Sequence, residues 1–309
     1  MNIVYMGTPE FSVGPLKELI KEYNVSLVVT QPDRKVGRKQ EIKYSPVKEF
    51  ALETGIEVFQ PERIREEYQY ILDKKPDLII TCVYGQIIPK EILNYPKYKC
   101  INIHASLLPK YRGGAPIHHA IINGDEYTGI TIMYMDEKMD SGDILYQEKM
   151  PIEETDNVGT MFNRLSVLGS KMIVDFLPKF LNGEITPIKQ NENDVTYAYN
   201  ISKEDEKIDF NNTSKDIFNK IRGLNPFPVS YALLDNKRVK LYSSTIGSSN
   251  KDGSIGEIIN IYEDGFGVKT KDGEIVISEL QFEGKKRTSV REYLNGIQDK
   301  DSIIGKVFK

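Results

Sequence analysis

Cysteine and histidine are scarce in this chain, and several familiar signatures are missing. Two cysteines in 309 residues cannot build a disulfide framework or the four-cysteine shell of a structural zinc site. No apolar run reaches the roughly 18 residues that a membrane helix needs. The opening Met1-Asn2-Ile3-Val4-Tyr5-Met6-Gly7 has neither the basic start nor the cleavage site of a secretory leader, so the expected location is cytoplasmic, with no membrane partner. Gly7 and Gly14 do not make Gly-x-Gly-x-x-Gly and no Walker A motif is present, which argues against nicotinamide and nucleoside-triphosphate cofactors. An excess of positive charge is absent too. With 41 Lys and Arg against 45 Asp and Glu, the formal charge is −4, which speaks against a non-specific nucleic-acid coat but leaves local basic patches open.

What is present suffices for two domains. Hydrophobic residues at 39% and charged residues at 28% match soluble globular chains and argue against long disorder. In the first half, apolar strands at 2–6, 25–30, 56–59, 77–83, 100–104 and 128–135 alternate with helices. Thr8 is expected to cap the first helix, with Pro9 at its first position; a second is expected over 64–72, and Thr155 is expected to cap a long one ending at 181. This alternation predicts a doubly wound, mostly parallel, Rossmann-like sheet, whose ligands bind beyond the carboxyl ends of the strands. After a polar stretch, five short strands at roughly ten-residue spacing (229–234, 238–243, 254–261, 266–270 and 274–280) predict a small OB-like β-barrel. The expected division is 1–189, a linker over 190–206, and 207–309.

Of the three histidines, His118 and His119 lie on a predicted helix after a Gly-Gly-Ala-Pro turn and read as surface or packing residues. Cys82 and Cys100 read as buried core. His104 stands apart: in Asn102-Ile103-His104 the strand period of two puts both polar side chains on one face, at the edge where this architecture binds ligands. The loop that follows, Ala105-Ser106-Leu107-Leu108-Pro109, leads into a Gly113-Gly114 pair that admits close approach of a flat ligand. Downstream, Asp136, Asp140 and Asp143 offer carboxylates able to orient and charge His104, and spacing alone does not choose among them. Arg34, Lys35, Arg38, Lys39 and Lys43 make one loop locally basic, a candidate arm for an anionic partner such as an RNA backbone. In the second half, Lys237, Arg238, Lys240, Lys285, Lys286, Arg287 and Arg291 form a possible second stripe.

These segments together resemble the methionyl-tRNA formyltransferase family, nearly end to end. The carriers are Met6-Gly7-Thr8-Pro9-Glu10-Phe11, Thr30-Gln31-Pro32-Asp33-Arg34, Tyr44-Ser45-Pro46-Val47-Lys48, Asn102-Ile103-His104-Ala105-Ser106-Leu107-Leu108-Pro109, Met139-Asp140-Ser141-Gly142-Asp143, Ile221-Arg222-Gly223-Leu224-Asn225-Pro226-Phe227-Pro228 and Gly284-Lys285-Lys286-Arg287. The resemblance implies formyl transfer from 10-formyltetrahydrofolate, as co-substrate and without a metal, to the amino group of methionine on initiator tRNA. It implies Asn102, His104 and Asp140 as the catalytic set, and Ser106, Leu107, Leu108 and Pro109 as a backbone cradle for folate. Arg34, Lys35, Arg38, Lys39 and Lys43 would then meet the tRNA. The Asn-x-His…Asp set is common to all formyl-folate transferases and hydrolases, so a sugar-nucleotide acceptor or water is the alternative. A monomer is expected.

Overall fold

The computed structural model describes residues 1–36, 40–249 and 251–309; Arg38 and Lys39 fall outside them. The chain forms two units. The first comprises Met1–Gly113, Thr128–Met150 and Phe162–Ala198; the second comprises Gly114–Tyr127, Pro151–Met161 and Tyr199–Lys309. A single break at 190–206 was expected. By Cα packing the chain passes between the units several times, last after Ala198, and two earlier segments join the second unit.

In chain order the first unit holds β1 (Asn2–Gly7), α1 (Val13–Glu22), β2 (Asn24–Val29), β3 (Arg34–Val36), β4 (Glu41–Lys43), α2 (Pro46–Glu53), β5 (Val58–Phe59), α3 (Ile64–Glu67), α4 (Gln69–Asp73), β6 (Leu78–Cys82), α5 (Lys90–Leu93) and β7 (Cys100–His104). After α6 (Pro116–Ile122), which belongs to the second unit, come β8 (Tyr127–Tyr134), β9 (Ile144–Pro151) and α7 (Val158–Leu181). Seven strands form one sheet in the order β5-β2-β1-β6-β7-β8-β9. The pairs from β5 to β7 are parallel, and β8 runs antiparallel to β7. Ile3, Val4, Tyr5 and Met6 of the central strand are all fully buried, as a parallel strand covered on both faces requires. Strand order reverses direction at β1, between β2 and β6, so the ligand edge lies beyond the carboxyl ends of these strands and their neighbour β7.

Local starts and stops differ from expectation where side chains find tertiary partners. Thr8 does not cap a helix; its hydroxyl donates to the Tyr84 carbonyl at 3.0 Å, and α1 begins after a 3-10 turn at Glu10–Ser12. The helix expected over 64–72 is two short ones, α3 and α4. Asn157, rather than Thr155, caps α7, its Oδ1 accepting from the Thr160 amide at 3.0 Å.

The second unit adds α8 (Ser214–Gly223), β10 (Ser230–Leu234), β11 (Lys237–Ile246), β12 (Ile258–Ile261), β13 (Phe266–Lys269), β14 (Glu274–Phe282), β15 (Thr288–Ser289) and α9 (Val290–Asn295). Its sheet is antiparallel, ordered β10-β11-β14-β13-β12 with β15 on β14. The final residues tie its two outer strands together: Phe308 bridges Leu234, and Val307 bridges Glu257 beside β12. Phe308 packs between Phe210 and Phe266 inside a core with Leu241, Ile277 and Leu280. α6 joins this unit through its buried His118, whose Nδ1 meets the Gly223 carbonyl at 2.9 Å.

Candidate active site

β7 ends in the pair the alternation predicts. Asn102 and His104 share one face, with Ile101 and Ile103 buried on the other. Thr81 on β6 donates its hydroxyl to Asn102 Oδ1 at 2.8 Å. The amide oxygen is thereby occupied, and the NH2 group is presented as a donor.

His104 is 6% exposed. Its Nε2 lies 3.0 Å from the Tyr111 carbonyl, an acceptor only, so Nε2 carries a proton in that bond. Nδ1 faces Asp140 Oδ2 at 3.7 Å. That is an ion-pair separation rather than a hydrogen bond, and it makes Nδ1 the ring atom available to move a proton. Of the three candidate aspartates, the fold therefore brings Asp140 to the histidine. The same Oδ2 accepts the Gly113 amide at 2.8 Å, which fixes the carboxylate's orientation.

The segment 106–109 is held by its own neighbours. Thr131 donates to the Ser106 carbonyl at 2.6 Å and accepts from the Leu108 amide at 3.2 Å, while Gln147 donates to the Leu108 carbonyl at 3.0 Å. Ser106 donates its hydroxyl to the Lys110 carbonyl at 2.7 Å. Ser106 and Leu108 are buried, whereas Leu107 and Pro109 are partly exposed. Backbone groups of Ser106 and Leu108, expected in the cradle, are thus engaged within the fold. Leu107 and Pro109 retain exposed side-chain surface.

Two partners escaped sequence reading. Arg112 is 3% exposed and forks onto Gln190 Oε1, with Nε at 3.0 Å and Nη2 at 2.9 Å, while Nη2 also meets Glu192 at 2.9 Å. That bond holds the Glu192 carboxyl below its ordinary range, although its side chain is 73% exposed and water screens the pair. Gln190 and Glu192 lie in the polar run that reads as linker. A cleft of about 740 Å³ beside them is lined by Arg112, Asp136, Met139, Glu192 and Tyr197.

Cys82 and Cys100 are buried and free. Burial pushes the Cys82 thiol up to about 12 and raises that of Cys100 as well, so neither is a thiolate nucleophile. Among the described residues no cluster of metal-ligating side chains occurs, and no helix is long and apolar enough to cross a membrane.

The basic loop folds as the β3–β4 hairpin, with Arg34 opposite Lys43. Arg34, Lys35 and Lys43 are exposed and make no ion pair among the described residues; Arg38 and Lys39 lie outside those residues. The second stripe is weaker than its sequence suggests. Arg238, Arg287 and Arg291 are paired with Glu206, Glu279 and Glu263 at 2.7, 2.5 and 3.0 Å.

Comparison with known proteins agrees with this geometry. Residues 1–177 match the formyl transferase family and residues 200–298 match the formyl transferase C-terminal domain. The methionyl-tRNA formyltransferase of Bacillus thuringiensis (strain Al Hakam) is 51% identical over 300 residues, 96% of each chain. Among solved structures, an N-formyltransferase from Helicobacter canadensis in complex with folinic acid and dTDP-3-aminofucose superposes with a TM-score of 0.69. Its identity is 22%, over 89% of this chain and 98% of that one. HypX from Aquifex aeolicus in complex with tetrahydrofolic acid gives 0.62 at 18% identity; the match covers 96% of this chain, which spans about half of that protein at 48%. At these identities the two structures establish the fold alone. On the strength of both domain matches and the half-identical relative, the chain belongs to the methionyl-tRNA formyltransferase family.

Proposed function

We propose that the protein transfers the formyl group of 10-formyltetrahydrofolate to the amino group of methionine on initiator tRNA, with Asn102, His104 and Asp140 carrying the chemistry. The observation that carries this reading is the convergence of three groups on one strand edge: the Asn102 amide donor, the His104 ring and the Asp140 carboxylate. The family relative bears the name of this activity, and two structures of the same fold are described as holding a folate derivative.

The residues suit the reaction. The acceptor amine attacks the formyl carbon, forming a C–N bond, and an oxyanion develops on the formyl oxygen. Asn102 Nδ2 is the donor for that oxygen, a contribution typically worth about 2.7–4 kcal/mol. With Nε2 bonded to Tyr111, His104 takes up the proton shed by the attacking nitrogen at Nδ1, and as a cation it stabilises the oxyanion through space. Asp140 stabilises that cation, and the proton then passes to the leaving N10 nitrogen as its bond to carbon breaks. No covalent enzyme intermediate is needed. Leu107 and Pro109 are the exposed members of the segment proposed to meet folate. Arg34, Lys35, Arg38, Lys39 and Lys43 are proposed to meet tRNA phosphates, as point charges that a nucleotide-sugar acceptor would not require.

The test is incubation with formyl-folate and methionyl-tRNA, followed by mass spectrometry of the released methionine. A formylated product from initiator but not elongator tRNA is expected. Formylation of an amino-sugar nucleotide instead, or formate release without any acceptor, would overturn the acceptor assignment.

A further inference from the structure

Asp140 occupies a backbone conformation disfavoured for a residue with a side chain, with φ at +49°. Two residues on, Gly142 is pressed against β8 so closely that a Cβ there would lie 2.0 Å from the Tyr134 carbonyl oxygen. Something must hold the turn down. Its two carbonyls, of Asp140 and Gly142, converge on one group, the Gln190 side-chain NH2, each at 2.8 Å. One NH2 has two protons, so both are used.

The orientation of that amide is set from the other side. Arg112 offers only donors, and its fork onto Gln190 Oε1 leaves the NH2 pointing at the turn. Arg112 is itself fixed by Glu192 and by its backbone amide, which donates to the Thr196 carbonyl at 2.9 Å. The next residue, Gly113, is the one whose amide holds the Asp140 carboxylate. Backbone and carboxylate of Asp140 are therefore gripped by one assembly, Arg112-Gly113 with Gln190.

We infer that Gln190, oriented by Arg112, is a positioning residue that holds Asp140 against His104. It touches no reacting atom and acts only through Asp140, so the inference rests on the catalytic reading of Asp140 above.

Gln190→Met keeps length and approximate volume while removing both polar groups. Two measurements are made on the full chain: hydrogen exchange of the Gly113 amide by NMR, and single-turnover and steady-state formylation. Gly113 should exchange at least about tenfold faster, and kcat should fall about tenfold with both KM values within about twofold. On an Asp140→Asn background the same change should cost less than about twofold in the single-turnover rate, because the residue acts through Asp140. Arg112→Lys, which cannot fork, should reproduce part of both effects. Unchanged Gly113 exchange, or an equal rate loss on both backgrounds, would overturn the positioning role. Faster Gly113 exchange with kcat retained leaves positioning intact and removes Asp140 from the chemistry. If the methionine variant does not fold, Gln190→Asn, one methylene shorter, is read by the same two measurements.

Discussion

Thr81 Oγ1 donates to Asn102 Oδ1 across the β6–β7 pair at 2.8 Å, and this bond decides which end of the Asn102 amide is offered as a donor. Thr81 is 3% exposed, so water does not replace its hydroxyl. Thr81→Val should lower kcat about tenfold, the worth of one hydrogen bond, with KM nearly unchanged, and Thr81→Ser should restore it. Asn102→Ala should cost about 10²–10³ in kcat, measured in the same formylation assay.

Gly113 tolerates no side chain. Its φ is +125°, and an added Cβ would lie 2.6 Å from the Ala198 carbonyl oxygen. Gly113→Ala should destabilise the protein by about 1–3 kcal/mol, read from urea unfolding. Because the amide that moves is the one bound to Asp140, kcat should fall further than the unfolded fraction explains.

If the exposed cations of the β3–β4 hairpin meet the tRNA, as proposed, they should act on the acceptor alone. Replacing Arg34, Lys35 and Lys43 together by Ala should raise KM for charged tRNA and leave KM for the folate donor unchanged. The slope of log KM against log salt should flatten by roughly 0.7–0.9 for each phosphate that is no longer neutralised. A change confined to folate KM would remove the hairpin from tRNA recognition.

Asp272 in the second unit supplies an acid-sensitive link. Its carboxylate accepts the Ser214 amide at 2.8 Å and the Ser214 hydroxyl at 3.1 Å, and chiefly the amide bond holds its pKa below the ordinary 3.8. A carboxylate with a lowered folded value stabilises the fold fully above 3.8, and that stabilisation fades as pH falls through the folded value. Asp272→Asn should therefore be less stable than the parent at pH 7, and the gap should close as pH falls below about 4, followed by urea melts across pH.

The parts of the site that depend on local periodicity were legible. Asn102 and His104 declared themselves because a strand exposes every second residue on one face, and Ile101 and Ile103 marked the other as core. Asp140 could not be separated from Asp136 and Asp143, because turn residues carry no period. Gln190 and Glu192 looked like linker for the same reason: their partners are backbone carbonyls and a buried guanidinium far away in sequence. β9 was missed because its middle, Gln147, Glu148 and Lys149, is exposed and shows no apolar alternation. The second sheet was foreseen from strand spacing, but the closing role of Val307 and Phe308 rests on pairings across the whole barrel. Net charge was the wrong scale for judging a nucleic-acid partner. Exposed cations gather on one hairpin, and the arginines of the second half are largely neutralised by neighbouring glutamates.

The bond between His118 and Gly223 spans 105 residues, and that separation has a meaning in time. At roughly 5–20 residues per second of synthesis, α6 is made about 5–20 seconds before the helix it packs against exists. The His118 ring spends that interval without the carbonyl it meets in the finished protein. A seven-residue segment is too short to hold a helix alone, so α6 is completed only once the partner that Gly223 supplies has been made.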